Sequence, residues 1–233
     1  MNERQLVWDL PVRVFHWSLA ASFAGAYVLS ESERWRNVHV MLGYTVLGLI
    51  AFRVVWGFVG THYARFTSFR YWPSEAVAYL KEILTGRARH YTGHNPAGSW
   101  AVYALMALGL ATGVSGYLNF NEVGGDAMEE AHEVMANLWL LVVALHVAGV
   151  VVSSLAHREN LVRSMVTGYK LGAGPGSAGS PAASVTGVAM VAAVLGFWTW
   201  STQGGAGPVS TAEAAQEAES EHRIVADEES DDD

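Results

Sequence analysis

The sequence predicts an all-α integral membrane protein, in which a four-helix bundle is followed by an appended fifth transmembrane helix. Hydrophobic residues make up 51% of the 233 residues and charged residues only 15%. The apolar residues form runs long enough to cross a hydrocarbon core, which takes roughly 20 residues of helix. These runs leave too little polar surface for a soluble helical protein. The expected spans are approximately Val14–Leu29, Val40–Gly60, Trp100–Leu118, Leu138–Ala156 and the shorter Val185–Trp200.

Composition divides the chain into four parts. Residues 1–170 contain the first four spans and form the predicted core. Residues 171–183 are rich in Gly, Ser, Ala and Pro, which predicts a flexible linker. Residues 184–201 are the fifth helix, and residues 202–233 form an acidic tail that we expect to be disordered.

The basic residues predict the orientation, because lysine and arginine are enriched on the cytoplasmic side of a membrane. They precede the first span and are frequent in the link between the second and third spans, whereas the link between the third and fourth has none. We therefore expect a cytoplasmic N-terminus and an acidic tail on the opposite, periplasmic side. Within the basic link, Val77, Leu80 and Leu84 share one face of a predicted helix over residues 75–85, which suggests contact with the membrane surface.

The chain contains no cysteine, which restricts its redox chemistry. Disulfides, iron–sulfur clusters held by cysteine and covalent haem attachment are all excluded. Any haem must therefore be held by histidine or methionine side chains.

Four histidines lie within or at the ends of the spans, where ionisable residues are costly and usually functional. His16 lies near the start of the first span and His39 opens the second. His132 opens the fourth span and His146 lies deep in it, 14 residues later. That spacing is roughly 21 Å along a helix and close to four turns, so both histidines face the same interior.

The topology places these histidines in two pairs, each predicted to hold one haem b. His39 and His132, the outer pair, lie at the outer ends of their helices. His16 and His146, the inner pair, lie at inner depth. Ligation by two histidines fills both axial positions of the iron, which favours electron transfer over binding of oxygen. Isolated polar contacts between helices and a zinc site are the alternatives, although zinc would want further close ligands.

Glycines near the ligands predict room for a porphyrin. Gly43 is one turn after His39, and Gly149 is one turn after His146. A stripe of small residues on the third span adds to this expectation; it consists of Gly109, Gly113 and Gly116.

Two arginines are further candidate contacts to the cofactor. Arg53 follows His39 by 14 residues, so it shares that face but lies at inner depth. A buried arginine needs an anion, which a haem propionate would provide; the alternative is that Arg53 extends to the cytoplasmic surface. Arg13 lies one turn before His16. The remaining histidines are expected in loops or at the surface, with His94 and His157 near a quinone, a further candidate cofactor.

Several motifs resemble the bacterial cytochrome b561 family, which shares its domain with the cytochrome b subunit of nickel–iron hydrogenases. The resemblance covers residues 7 to about 170. The motifs are VWDLPVRVFHW (Val7–Trp17), HVMLGY (His39–Tyr44), RVVWGFVG (Arg53–Gly60), YARF (Tyr63–Phe66), GHNPAG (Gly93–Gly98), ALHVAGV (Ala144–Val150) and SLAHRENLVRSMVTG (Ser154–Gly168). The resemblance implies a four-helix core in the bacterial inner membrane with two b haems, and its ligand pattern falls on the same four histidines.

Two functions remain open at this point. The first is an electron carrier between membrane quinone and a periplasmic redox partner such as a c-type cytochrome. The second is a haem-bearing membrane anchor subunit of a hydrogenase, dehydrogenase or other respiratory complex. The expected partners are membrane lipid, quinone and one of these redox proteins, with no nucleic acid. Whether the chain is itself an enzyme stays undecided.

Overall fold

The computed structural model describes residues 4–171 and 179–203. Seven α-helices lie within these residues: α1 Leu10–Val28, α2 Arg36–Val59, α3 Pro73–Leu84, α4 Pro96–Phe120, α5 Asp126–His157, α6 Leu161–Thr167 and α7 Pro181–Thr202. Two short strands, β1 Arg4–Leu6 and β2 Tyr169–Leu171, pair in antiparallel orientation. The predicted all-α class is therefore confirmed.

Four segments are long and apolar enough to cross a membrane, namely Glu33–Val59, Pro96–Phe120, Asp126–His157 and Pro181–Thr202. Their outward surface is apolar: on α5, Leu141, Leu145 and Leu155 are all more than half exposed. Because so large an apolar surface is stable in lipid but not in water, the chain is a multi-pass membrane protein. The 19-residue α1 is not among the four, since Arg13 and His16 lower its mean hydropathy. Its crossing of the bilayer remains a prediction.

The four core helices pack in the order α1, α2, α4 and α5, each against the next. We call the end where α1 and α4 begin the inner end, and the opposite end the outer end, after the predicted topology. At mid-depth, Phe23, Val46, Ile50 and Trp139 form a buried apolar layer. Trp139 lies seven residues from both His132 and His146, so this layer separates the two predicted haem depths.

The chain before α1 is anchored at the inner end to the chain after α6. Strand β1 pairs with β2, and the carbonyl of Gly168 accepts hydrogen bonds from the backbone N–H groups of Val7 (2.9 Å) and Trp8 (3.0 Å). Gly168 has a φ of 89°, and a Cβ there would lie 2.7 Å from the carbonyl oxygen of Trp8. Only glycine suits this position, because the backbones approach closely at a left-handed residue.

Asp9 fixes the start of α1 against the end of α2. Its Oδ1 caps α1 by accepting from the backbone N–H of Val12 at 2.8 Å. Its Oδ2 accepts from Nε1 of Trp56 at 2.9 Å and from the hydroxyl of Thr61 at 2.8 Å. The side chain is 1% exposed, so one buried carboxylate satisfies three donors from three parts of the chain.

Helix α3 has the two faces expected of a helix at a membrane surface. Ala76 and Tyr79 are buried on the side where the helix packs against α4. Val77, Leu80 and Leu84 are 52%, 51% and 85% exposed. This outward apolar face supports the predicted contact with lipid.

Helix α7 packs its first half within the same unit as the core. Ala183, Gly187 and Met190 are buried, and Gly187 lies against the side chain of Leu10 at the start of α1. The predicted linker falls largely on residues 172–178 and the predicted tail on residues 204–233, both outside the described residues. The division into core, linker, fifth helix and tail therefore stays a prediction.

Candidate functional site

The outer pair meets between α2 and α5. His39 lies in the first turn of α2. His132 lies in the second turn of α5, since this helix begins at Asp126, 12 residues before the predicted span. The centres of the two imidazole rings are 6.1 Å apart, and the ring planes are inclined by 83°. The structure thus brings together the two histidines that the sequence pairs by depth.

Backbone carbonyl groups orient both rings of the outer pair. Nδ1 of His39 lies 2.8 Å from the carbonyl oxygen of Ala26, in the last turn of α1. Nδ1 of His132 lies 2.9 Å from the carbonyl oxygen of Thr112 on α4. A carbonyl only accepts hydrogen bonds, so Nδ1 carries the proton on each ring and Nε2 is left with its lone pair. This is the arrangement in which a histidine binds a metal.

The inner pair meets between α1 and α5. The ring centres of His16 and His146 are 6.5 Å apart, and the planes are inclined by 55°. His16 also packs edge-on against Trp17, at 5.0 Å between ring centres. Nδ1 of His16 is buried without a hydrogen-bond partner, in contrast to the carbonyl-bound nitrogens of the outer pair.

Both ring separations fit one metal ion held between two imidazoles. Such rings have centres about 6 Å apart, because each nitrogen lies roughly 2 Å from the metal and the ring centre about 1 Å behind it. Among the described residues, no group of three or more His, Cys, Asp or Glu side chains gathers as a metal site. Two protein ligands suit a haem iron, whose porphyrin supplies the other four, better than a tetrahedral zinc site.

The glycines near the ligands differ in the space they leave. Nothing lies within 4 Å of a Cβ placed at Gly43 or Gly149, so both predicted positions leave open space beside a ligand helix. The stripe on α4 is instead filled by neighbouring side chains: a Cβ at Gly116 would lie 2.8 Å from the His132 ring, and one at Gly109 would lie 2.7 Å from Trp139. The stripe therefore makes room for a ligand side chain and for the apolar layer.

Arg53 is buried near the inner end. Its side chain is 2% exposed, and its guanidinium carbon lies 5.1 Å from the ring centre of Phe66 and 6.0 Å from that of Phe69. Nη1 has no hydrogen-bond partner. This burial favours an anionic partner for Arg53 over extension into water. Arg13 donates to the carbonyl oxygen of Thr167 at 3.3 Å, and its Nε is buried without a partner.

His94, which the sequence places in a loop before α4, packs among aromatic rings. Its ring centre lies 4.7 Å from that of Trp8 and 4.4 Å from that of Phe69, and Nδ1 is buried without a partner. Burial, followed by the positive charges of Arg53 and Lys170, lowers the pKa of His94 to about 3, so the ring is neutral. The GHNPAG motif places His94 directly before the Asn95-Pro96 start of α4, but it does not indicate the contacts with Trp8 and Phe69.

A second cluster at the inner end joins the link before α4 to the end of α5. Glu159 pairs with His90 at 3.0 Å and with the ammonium group of Lys170 at 3.5 Å. The hydroxyl of Tyr79 lies 3.1 Å from Nε2 of His157. Burial lowers the pKa of Lys170, and the Glu159 carboxylate opposes that shift. His90 and His157 therefore belong to a network that closes the inner end.

Comparisons with known proteins identify the family of the chain. The family model of prokaryotic cytochrome b561 matches residues 7–168. A probable Ni/Fe-hydrogenase B-type cytochrome subunit of Rhizobium leguminosarum bv. viciae is 24% identical over 220 residues, covering 72% of this chain and 90% of that protein. A subunit of the same description from Azotobacter vinelandii is 26% identical over 213 residues, covering 71% of this chain and 88% of its own length. No solved structure matches the chain.

The family match covers most of the chain and contains the four histidines described above. Together with the apolar helices, it establishes a haem-bearing membrane protein of electron transfer whose cofactor is of the b type. The chain belongs to the prokaryotic cytochrome b561 family.

Proposed function

We propose that the chain binds two haem b groups, one at the outer and one at the inner pair, and carries electrons between membrane quinone and a redox partner at the periplasmic face. The observation that supports this most directly is the presence of two histidine pairs at ring separations of 6.1 and 6.5 Å. Both use ligands from one face of α5, spaced by roughly 21 Å. A bound haem supplies reversible one-electron chemistry.

The chain's own residues contribute ligation, orientation and exclusion of water. The carbonyl groups of Ala26 and Thr112 hold the outer rings with Nε2 free to bind, and such partners fix a ligand's orientation. The layer around Phe23 and Trp139, whose ring centres are 4.3 Å apart, fills the space between the two depths. Two axial histidines leave an iron without an open position, which favours electron transfer alone.

The distribution of basic residues supports one orientation of the chain in the membrane. The inner end carries the long basic link, so we place it in the cytoplasm of a bacterium and the chain in the inner membrane. The acidic C-terminal tail then lies in the periplasm, where the redox partner of the outer haem would dock.

A second candidate function is a membrane anchor subunit of a larger redox enzyme. The names of the relatives favour it, since they are described as B-type cytochrome subunits of Ni/Fe-hydrogenase. Val185 and Val188 on α7 are 69% and 62% exposed, so this helix has an apolar face for lipid or for another membrane subunit.

The test combines purification with a quinol assay. After extraction in mild detergent, the full-length protein is mixed anaerobically with a short-chain quinol, and haem reduction is followed optically with dithionite as the control. We expect quinol to reduce both haems, and an added c-type cytochrome to reoxidise them. Reduction by dithionite but not by quinol would contradict the quinone proposal. Retention of a peripheral iron–sulfur subunit, which then reduces the haems, would establish the anchor function instead.

A further inference from the structure

Half of the buried polar atoms without partners belong to residues of the inner end. Among the described residues, eight buried side-chain nitrogen or oxygen atoms lack a hydrogen-bond partner, and four of them belong to Arg13, His16, Arg53 and His94. Buried polar groups are paired in nearly all proteins, and each exception asks for an explanation. Two of these four side chains are always cationic, so the partner that suits them is an anion.

Arg53 and His94 share a wall of aromatic residues. The Phe69 ring, which is 1% exposed, lies 6.0 Å from the guanidinium carbon of Arg53 and 4.4 Å from the His94 ring centre. The Phe66 ring centre lies 5.1 Å from the guanidinium carbon of Arg53. The Trp8 ring centre lies 4.7 Å from that of His94. Arg53 and His94, each with an unpartnered nitrogen, thus pack against the same aromatic ring.

The protein's own carboxylates at this end bond to other groups. Asp9 accepts hydrogen bonds from Val12, Trp56 and Thr61. Glu159 pairs with Lys170 and His90, and these are the two ion pairs found among the described residues. Arg53 therefore forms no ion pair among the described residues: Asp9 favours its positive charge only from a distance, because the Asp9 oxygens bond to other groups. A buried charge without a direct partner is costly, and a bound anion would remove that cost.

We propose that Arg53 and His94 bind one propionate of the haem held by the inner pair, an inference that rests on the proposed function. A carboxylate has lone pairs for both nitrogens, and an arginine is suited to it by charge and by its planar fork of donors. A quinone carbonyl is neutral and would leave the charge of Arg53 uncompensated. The outer pair has no counterpart to this site in the described residues: the arginines of its end, Arg34 and Arg36, are exposed.

This site sets the midpoint potential of the inner haem. Reduction adds negative charge at the iron, and an ionised propionate nearby opposes that change. Arg53 neutralises the propionate in a buried environment, where electrostatic interactions are strong. Loss of either contact makes reduction less favourable and lowers the potential of the inner haem alone.

The experiment is an optical redox titration of the full-length protein with its haems in place. The variants are Arg53→Gln and His94→Phe, the second of which keeps an aromatic ring between Trp8 and Phe69. The matched controls are Arg36→Gln on the same helix and His62→Phe in the same link, both exposed in the wild type. The His16→Ala variant identifies which redox component is the inner haem. Resonance Raman spectra report the propionate bending mode directly.

We expect both variants to lower the potential of the inner haem and to shift its propionate band, with the outer haem and both controls unchanged. An unchanged inner potential and an unmoved propionate band in His94→Phe would overturn the proposal, even if Arg53→Gln fails to accumulate. Equal shifts of both haems would also overturn it. Failure of the proposed function would be seen differently: the wild-type protein would contain a single haem, before any variant is compared.

Discussion

Replacing either member of one histidine pair should remove one haem completely and leave the other in place. We expect His39→Ala and His132→Ala to lose the same spectral and redox component, and His16→Ala and His146→Ala to lose the other. The reason is that each haem would lose one of the two side chains that bind its iron, while the other pair, which shares no ligand with it, keeps both. Haem content measured as the pyridine haemochrome, with a redox titration of each variant, provides the test.

The pairing also makes a prediction about double variants. Replacing His39 and His132 together should cost no more haem than replacing one, because both act on the same site. His62→Ala is the control, since this exposed histidine lies outside both histidine pairs. Loss of the same component from His16→Ala and His39→Ala would show that the assignment by depth is wrong.

Replacing Asp9 with alanine should strongly destabilise the inner end. The variant loses the cap of α1 and leaves the partly buried donors of Trp56 and Thr61 without their acceptor. A lost cap costs about 1 kcal/mol and each donor left unpaired in this partly buried place about 1–2 kcal/mol, so we expect a loss of about 3–5 kcal/mol in the free energy of unfolding. The thermal unfolding midpoint in detergent should fall, and the inner haem should be lost before the outer one, because His16 lies two turns into the loosened helix.

Asn95 provides the matched control for Asp9. It also caps a helix at the inner end, where its Oδ1 accepts from the backbone N–H of Gly98 at 2.7 Å. Within the described part of the chain, its side chain forms no hydrogen bond with a second helix. Asn95→Ala should therefore cost only about 1 kcal/mol. Equal destabilisation by Asp9→Ala and Asn95→Ala would show that the bonds to Trp56 and Thr61 contribute nothing.

Features that depend on the periodicity of a single helix could be predicted from the sequence. Apolar runs located the membrane helices, and the 14-residue spacing of His132 and His146 placed two ligands on one face of α5. Depth then paired each with a histidine of another helix, and the rings of those pairs are indeed neighbours. Helix α5 begins before the predicted apolar span, because its first turns are polar and an apolar run does not include them.

Contacts between distant parts of the chain were beyond prediction. Asp9 reaches Thr61 across 52 residues, and no local pattern indicates that bond. The sequence predicts that the glycine stripe on α4 leaves space for a porphyrin. In the structure Gly116 leaves space for the His132 ring instead, which becomes visible only when α4 packs on α5. The sequence predicts His94 in a loop or at the surface, near a quinone. It does lie in the link before α4, but no local pattern indicates its contacts with Trp8 and Phe69 from two other segments.

The number of haems per chain distinguishes a protein with two cofactor sites from a protein with one. The full-length protein, purified in mild detergent, is assayed for haem b as the pyridine haemochrome and for protein by amino-acid analysis. Two histidine pairs at separate depths predict two haems per chain, all extractable with acidified organic solvent because no cysteine attaches them. A ratio of two would support the account, and a ratio near one in fully loaded protein would contradict it.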